Sequence, residues 1–288
     1  MERELWPLLY RMLRKVGNDF SQKNVSHQPW VIVAVLLWAA VHDRPHSWAC
    51  RWRNWATTRR RPARLPAPST LSRRLHSMAV GLLLRALEEC IRKTQDPRLL
   101  ALLDGKPLLV GGPSQDPDAG FGQAAGHKAK GYKLHAIWAG RAVPEVWTVT
   151  ALNVSEQVVA RELLPAVSGT VAYVLGDGGY DGNALFDVAG AAGSQLVVPM
   201  PDPNAGRGHH YQSPYRLRCI DLMRGEFGQS LYAARSAIER SFGNAGAFAG
   251  GLGPLCNWVR RWHRVFTWVA AKLLINGVRI LRNQGLMT

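Results

Sequence analysis

The chain changes texture once. Up to about residue 95 its apolar residues recur at helical spacing, and beyond Leu99 they come in short runs cut by glycine and proline. Leu5, Leu8, Leu9 and Met12 mark one helical face, Trp30 to Val41 an apolar helix, and Met78 to Ile91 a third helix. Leu99 to Leu103 reads as a strand closing on Asp104, with Gly105 and Lys106 after it. Gly111 to Gly126, with Asp116-Pro-Asp118, reads as a loop too polar and flexible for the core. Tyr132 to Ala139 and Val143 to Leu152 predict a hairpin turning at Ala139 to Ala142, and Ser155 to Val167 a helix capped by Ser155. The run from Val171 to Leu175 predicts a buried strand that stops on Asp177 among glycines, followed by a short helix from Asn183 to Ala192 and a strand from Ser194 to Met200. Pro201 to Gly228 reads as an irregular polar connection. Ser230 to Gly243 predicts a helix, and Leu255 to Leu281 a long one with Trp258, Trp262, Val265, Phe266, Val269 and Leu273 on a core-facing side. The order strand, hairpin, helix, strand, helix, strand predicts an α/β fold, a mixed β-sheet flanked by helices, preceded by an α-helical N-terminal region. The expected division is 1–95 and 96–288.

Composition sharpens this picture in one respect. The 288 residues, 47% hydrophobic, suffice for one large domain or two ordinary ones, but 36 Lys plus Arg against 20 Asp plus Glu give a net charge of +16. A balance this basic points to a polyanion, with nucleic acid the first candidate. The longest apolar run, Trp30 to Val41, is too short to span a bilayer, and the charges through Met1 to Phe20 are unlike a signal peptide, so the expected compartment is the cytoplasm. Cys50, Cys90, Cys219 and Cys256 have no ligand spacing and read as buried thiols, and His209 and His210 read as surface residues.

The charge is unevenly spread. Residues 1–95 hold 17 Lys plus Arg against 6 acids, with Arg59, Arg60, Arg61 and Arg64 bunched before prolines. Such a run by itself is a solvated segment. After it, Pro68 with Ser69 or Thr70 would cap a short helix exposing Ser72, Arg73 and Arg74, which is how a helix-turn-helix recognition helix is often written.

Three acids carry the candidate chemistry. Asp177 at the end of an apolar strand is either a turn or cap residue, as most Asp-Gly pairs are, or a ligand held at the edge where α/β sheets build their sites. Asp104 closes another apolar run, and Glu239 lies on a predicted helix four residues after Arg235 and seven after Tyr232, so these three share one helix face. An ordinary surface pair of Arg235 with Glu239 is the plain alternative. Asp181 reads as the cap of the next helix. The glycines around Asp177 fit neither a dinucleotide loop, which needs glycine where Asp181 stands, nor a calcium loop. Two strand-end aspartates and a helix glutamate are the hard oxygen ligands that Mg²⁺ or Mn²⁺ prefers, and two such ions about 3.5–4 Å apart suit in-line phosphoryl displacement.

Asp104-Gly105, Gly131-Tyr-Lys-Leu-His135, Asp177-Gly-Gly-Tyr180 and above all Tyr232-x2-Arg235-x3-Glu239 resemble the signature of DDE-class insertion-sequence transposases, as do Asp116-Pro-Asp-Ala119 and the basic, aromatic C-terminal helix. The resemblance covers roughly residues 25–282. It implies an RNase H-like catalytic fold and a DNA transposase in which Asp104, Asp177 and Glu239 are catalytic and hold Mg²⁺ or Mn²⁺, two ions in all. It further implies that Tyr232 and Arg235 contact DNA phosphate, with Arg240, Lys128, Lys130 and Lys133 as further contacts on double-stranded DNA. A homodimer on DNA and a bacterial, nucleoid-associated cytoplasmic location also follow from it. A domesticated DNA-binding protein and an endonuclease that never joins ends are the alternatives. One position departs from the family: the lysine expected seven residues after Glu239 is Gly246.

Overall fold

The computed structural model describes residues 2–111, 113–124, 126–200, 211–246, 248 and 251–287, without the side chains of Glu2, Arg3 and Glu239. His209 and His210 lie outside the described residues. By internal contacts the chain forms two compact units, Met1–Gln95 with Asn244–Thr288, and Asp96–Gly243.

The first unit is helical. It begins with α1 (Glu2–Gly17), α2 (Pro29–Val41), α3 (His46–Ala49), α4 (Pro68–Leu75) and α5 (Met78–Arg92). Every residue of α2 except Trp30 is buried, because a helix that is apolar all round finds no solvent face and becomes the centre of its unit. α1, α3, α4 and α5 all pack on it. The helix α4 starts on Pro68 itself, after Ala67, with no side-chain cap, so neither Ser69 nor Thr70 has the capping role expected. Proline suits that first position because the missing N–H has no partner within the helix anyway.

The arginine-rich stretch before α4 is fastened through its backbone. Trp38 and Trp55 stack at 4.7 Å with Trp6 edge-on to both. The Trp6 indole N–H donates to the Arg60 carbonyl at 2.7 Å, and the Tyr10 hydroxyl to the Arg61 carbonyl at 2.9 Å. The aromatic rings bury their apolar bodies and spend their polar tips on main-chain carbonyls. The side chains of Arg59, Arg60, Arg61 and Arg64 stay exposed.

The second unit holds the sheet. β1 (Leu100–Leu109) pairs antiparallel with β3 (His127–Trp138), and β3 carries both β2 (Gly120–Ala124) and β4 (Val146–Ala151). Beyond β4 come α6 (Glu156–Leu163) and β5 (Tyr173–Leu175), which lies parallel to β1. They are followed by α7 (Asn183–Ala191) and β6 (Gln195–Val197), the latter parallel to β5. The order is β2-β3-β1-β5-β6 with β4 also on β3. α6 packs on β3, while α7 and α8 (Pro214–Arg224) pack on β6. The hairpin expected between Tyr132 and Leu152 is present, with Gly140 at φ 79° in its turn.

Three expectations fail here. The stretch from Gly111 to Gly126 contains β2, and Asp116 is buried: its Oδ2 accepts from the Tyr132 hydroxyl at 2.7 Å and its Oδ1 from the Asp118 N–H at 3.2 Å. A hydrogen-bonded carboxylate is affordable in the interior, so polarity alone misread this segment. The connection from Pro201 to Gly228 contains α8 and the start of α9 (Glu226–Ala233). The single helix expected over Ser230 to Gly243 is α9, a 3₁₀ turn at Ala234–Ser236, and α10 (Ala237–Gly246). Of the cysteines, all free, Cys219 is buried and Cys50, Cys90 and Cys256 are partly exposed.

The last helix, α11 (Trp262–Asn283), begins seven residues later than the apolar pattern suggests, after Arg261 at φ 73°. Its buried face runs through Val265, Val269 and Leu273, whereas Trp258 and Trp262 are 38% and 44% exposed, contrary to the core role expected of them. α11 packs on α1, α2 and α5, because its apolar stripe needs a partner and α2 offers an apolar surface on every side. Residues 244–288 therefore group with 1–95, not with the sheet to which the sequence pattern assigned them. Among the described residues no helix is long and apolar enough to cross a membrane.

Within this helical unit, Lys272 of α11 is 1% exposed, its ammonium donating to the Ala40 carbonyl at 2.6 Å and to Asp43 Oδ1 at 2.5 Å. Burial pulls its pKa down and Asp43 pulls it back. Asp43 sits at φ 50°, just past the end of α2, a conformation that Asn also tolerates. Asp43→Asn should therefore keep the backbone but strip the ammonium of its counter-charge, at a cost of about 1–3 kcal/mol. Urea unfolding of the two proteins checks this, and equal midpoints would refute it.

Candidate active site

The two aspartates occupy equivalent places on adjacent strands. β1 and β5 run parallel through three couples ending at Leu102 and Leu175, and Asp104 and Asp177 each stand two residues further on. A step of two returns a side chain to the same face of a sheet. Asp104 is not the end of its strand, as the apolar run suggested, but its fifth residue: β1 continues to Leu109 against β3 alone. The short β5 leaves that part of β1 open on the side facing Asp177.

Backbone donors orient both carboxylates. Asp104 Oδ1 accepts from the Gly105 N–H at 2.7 Å, and Asp177 Oδ1 accepts from the Gly179 N–H at 2.9 Å, capping the 3₁₀ turn Gly178–Tyr180. The two Oδ2 atoms are left to face Arg235, whose Nη2 is 3.7 Å from that of Asp104 and 3.6 Å from that of Asp177. Both separations exceed hydrogen-bond length, so the guanidinium screens the pair without occupying its lone pairs.

Asp177 thus fills the cap role, one of the two expected of it, while also facing Asp104 across Arg235. Asp181, expected to cap α7, instead forms a two-pronged pair with Arg216 at 2.7 Å through each oxygen, and Gly182 takes the cap position.

Asp104 is costly to ionise. Burial pushes Asp104 up to about 6; the Gly105 N–H and Arg235 oppose this, and the charges of Asp177 and Glu156 add to it. Glu156 was not singled out by the sequence pattern. It is the first residue of α6, and its Oε1 accepts from the Lys133 ammonium at 2.5 Å. An acid in the first turn of a helix is too common a signal to have marked it. The ion pair crosses β1 at Gly105, where a Cβ would stand 2.8 Å from Lys133 Cδ and 3.1 Å from Glu156 Oε1, so a side chain there would have to displace the ion pair. Tyr180, fully buried, has its pKa raised by burial and by Glu156, Asp104 and Asp177.

The other expected residues fall into place as follows. Tyr232, on α9, has a pKa raised by burial and by Asp177 and Asp104 against the pull of Arg235. Arg235 itself lies in the 3₁₀ turn between α9 and α10, so the uniform helix face expected for Tyr232, Arg235 and Glu239 is interrupted there. Glu239 is on α10, one turn beyond Arg235, and its side chain lies outside the described residues. Arg240 is exposed. Lys133 is committed to Glu156, Lys130 donates to the Ser114 carbonyl at 2.8 Å, and Lys128 is exposed.

Within the helical unit, Arg73 of α4 is exposed and Ser72 half-buried, but Arg74 reaches back to Gln22 Oε1 at 2.9 Å. Two motif residues prove structural: Tyr132 holds Asp116, and His135, 1% exposed, bonds Thr150 Oγ1 at 2.9 Å, its pKa drawn down to about 4 by burial and Lys133. At Gly246, where the resemblance led one to expect lysine, a Cβ would stand 3.0 Å from the Leu252 carbonyl oxygen, so backbone crowds the position.

The two acids present hard oxygen atoms of the kind a divalent cation prefers, although among the described residues no group of three or more potential metal ligands comes together. The mixed sheet, its flanking helices and the paired aspartates define an RNase H-like α/β fold. Within that class, the chain belongs to the transposase DDE-domain family, whose profile, described as Transposase DDE domain, matches residues 95–276. No curated protein and no solved structure shows a significant match.

The raised Asp104 pKa fixes the sign of a pH effect. The folded value, about 6, exceeds the ordinary aspartate value of 3.8, so the folded state holds the proton more tightly. Its stabilising effect is full below the unfolded pKa and is lost as pH rises through about 6. Asp104→Asn should therefore stabilise the metal-free protein at pH 8 by up to about 3 kcal/mol, with the difference vanishing near pH 4. Thermal melts of both proteins across this range test it, and a pH-independent offset would contradict it.

Proposed function

We propose that the protein is the transposase of an insertion sequence, which binds the element's ends, hydrolyses a phosphodiester there and joins the freed 3′ hydroxyl to target DNA. The observation that supports this best is the placing of Asp104 and Asp177 two residues past the same strand couple, both against Arg235. In this reading Asp104, Asp177 and Glu239 hold two Mg²⁺ or Mn²⁺ ions, which when bound supply Lewis-acid charge for in-line displacement at phosphorus. The chain's own part is to orient the carboxylates through Gly105 and Gly179 and to keep Oδ2 of each aspartate unbonded. Arg235 neutralises them in the free protein, then turns to a DNA phosphate, with the Tyr232 hydroxyl beside it. Arg240, Lys128, Lys130 and Lys133 grip the backbone around the cut. Ser72, Arg73 and Arg74, with the exposed arginines before α4, hold duplex DNA in the helical unit, and the working form is a homodimer on DNA in the cytoplasm, near the nucleoid.

An assay supplying both element ends and target DNA with Mg²⁺ tests this. Asp104→Asn, Asp177→Asn and Glu239→Gln should each reduce cleavage and joining by on the order of 10²-fold or more, while DNA binding persists. Full activity in Glu239→Gln would rule out the proposed triad. Cleavage without joining would leave an endonuclease, and binding without cleavage a DNA-binding protein.

A further inference from the structure

A pocket of about 220 Å³ lies within the helical unit, between the start of α3, helix α4 and the chain just before and inside α11. Its volume is the liquid share of about seven waters, so it admits a single ring with one small substituent and little more.

The polar side chains of its lining are His46, Ser47, Ser72 and Arg264, and among the described residues none of the four makes a hydrogen bond or an ion pair. Ser47 and Arg264 are exposed and water can serve them, but His46 Nε2 is buried and has no partner. A buried polar atom is costly to leave unbonded, so a ligand that reaches it gains a bond the protein itself does not make. All four groups can donate. They are a guanidinium, two hydroxyls and an imidazole whose pKa, drawn down to about 4 by burial and by Arg264, leaves it neutral at ordinary pH with one ring N–H. Among the described residues of the lining there is no acid, and Arg264 is the one cation. Donors without acceptors suit an anion, and a single guanidinium matches a single negative charge.

The remaining walls are apolar, and they narrow the choice of anion. Trp258 is 38% exposed, and with Pro68 it gives the pocket flat hydrocarbon faces. Inorganic phosphate would meet the donors and leave those faces uncovered, whereas a flat ring covers them. A phosphate of duplex DNA carries a sugar on either side, which a cavity of this volume does not admit.

We infer that this pocket binds a small aromatic carboxylate, its ring against Trp258 and Pro68, its carboxylate on the Arg264 guanidinium and the other donors around it. The exposed Trp258 thereby acquires a role that packing did not give it. The inference is independent of the reading of Asp104 and Asp177, because every residue in it belongs to the helical unit.

The test titrates the full chain, without DNA or metal, into 4-fluorobenzoate and follows the broadening of its fluorine NMR line. Wild type should bind with a Kd on the order of 0.1–1 mM, as suits so few atoms. The neutral 4-fluorobenzamide should bind about tenfold more weakly, and Arg264→Gln should weaken the carboxylate by about as much. Trp258→Ala should also lose about tenfold, and Trp258→Phe should restore most of it. Arg85→Gln, at an exposed arginine of α5, removes the same charge from the chain and should change affinity by less than about twofold. The inference is overturned if wild type leaves the line sharp, if the amide binds as well as the acid, or if Arg264→Gln and Arg85→Gln weaken binding alike. Displacement of the probe by an equal concentration of inorganic phosphate or of a short duplex would overturn it too, by making the pocket a phosphate site. The transposase reading stands in each case.

Discussion

Two like charges held against each other organise the sheet unit. Asp104 and Asp177 sit on neighbouring parallel strands with their free oxygens turned to one guanidinium, and Asp104 resists ionisation through its burial first and the charge of Asp177 second, against the pull of Arg235. Such an arrangement opposes folding unless the surroundings impose it. Here the imposing parts are backbone: the couples that end at Leu102 and Leu175, the turn of Gly178–Tyr180, and the N–H groups of Gly105 and Gly179. The shortness of β5 matters as much as its position, since a longer strand would pair with β1 beyond Leu102 and cover the ground where the carboxylates meet. Strain of this kind at a site is a common trade of stability against chemistry.

The positive charge is managed by a different device. The segment with Arg59, Arg60 and Arg61 is pinned by Trp6 and Tyr10 to its main-chain carbonyls, so the side chains need no partner within the protein. Around the carboxylates the cations are paired: Arg235 faces both aspartates, Lys133 holds Glu156, and Arg216 holds Asp181. A net charge of +16 is thus split between exposed side chains offered outward and a few that hold acids in place. In the helical unit the buried Lys272 shows the limit of the scheme, because its ammonium enters the interior with the Ala40 carbonyl and Asp43 accepting its hydrogen bonds.

Much of this was legible in the order of residues. The apolar helix from Trp30, the hairpin of β3 and β4, and the strand before Asp177 follow from periodicity, since burial of one face, or of all faces, writes itself into spacing. The signature Tyr232-x2-Arg235-x3-Glu239 pointed to a family whose profile matches the chain. Other features are hidden from the sequence for identifiable reasons. Gly111 to Gly126 reads as loop because it is polar, yet Asp116 is buried on the Tyr132 hydroxyl. Asp181 reads as a cap because it precedes a helix, yet its partner, Arg216, lies 35 residues away. The helix over Ser230 to Gly243 reads as continuous because a 3₁₀ turn leaves little trace in composition.

The sequence by itself determined the class of fold, the family and the residues that carry charge, because these depend on local spacing and on residue type. Only the tertiary structure decided that Asp104 lies within its strand and not at its end, that Glu156 and Lys133 stand beside the aspartates, and that α11 packs with the N-terminal helices. Each of those depends on which distant segments share an edge, a face or a counter-charge. Such pairings are settled by the balance of burial and electrostatics over the whole chain, which no window of sequence contains.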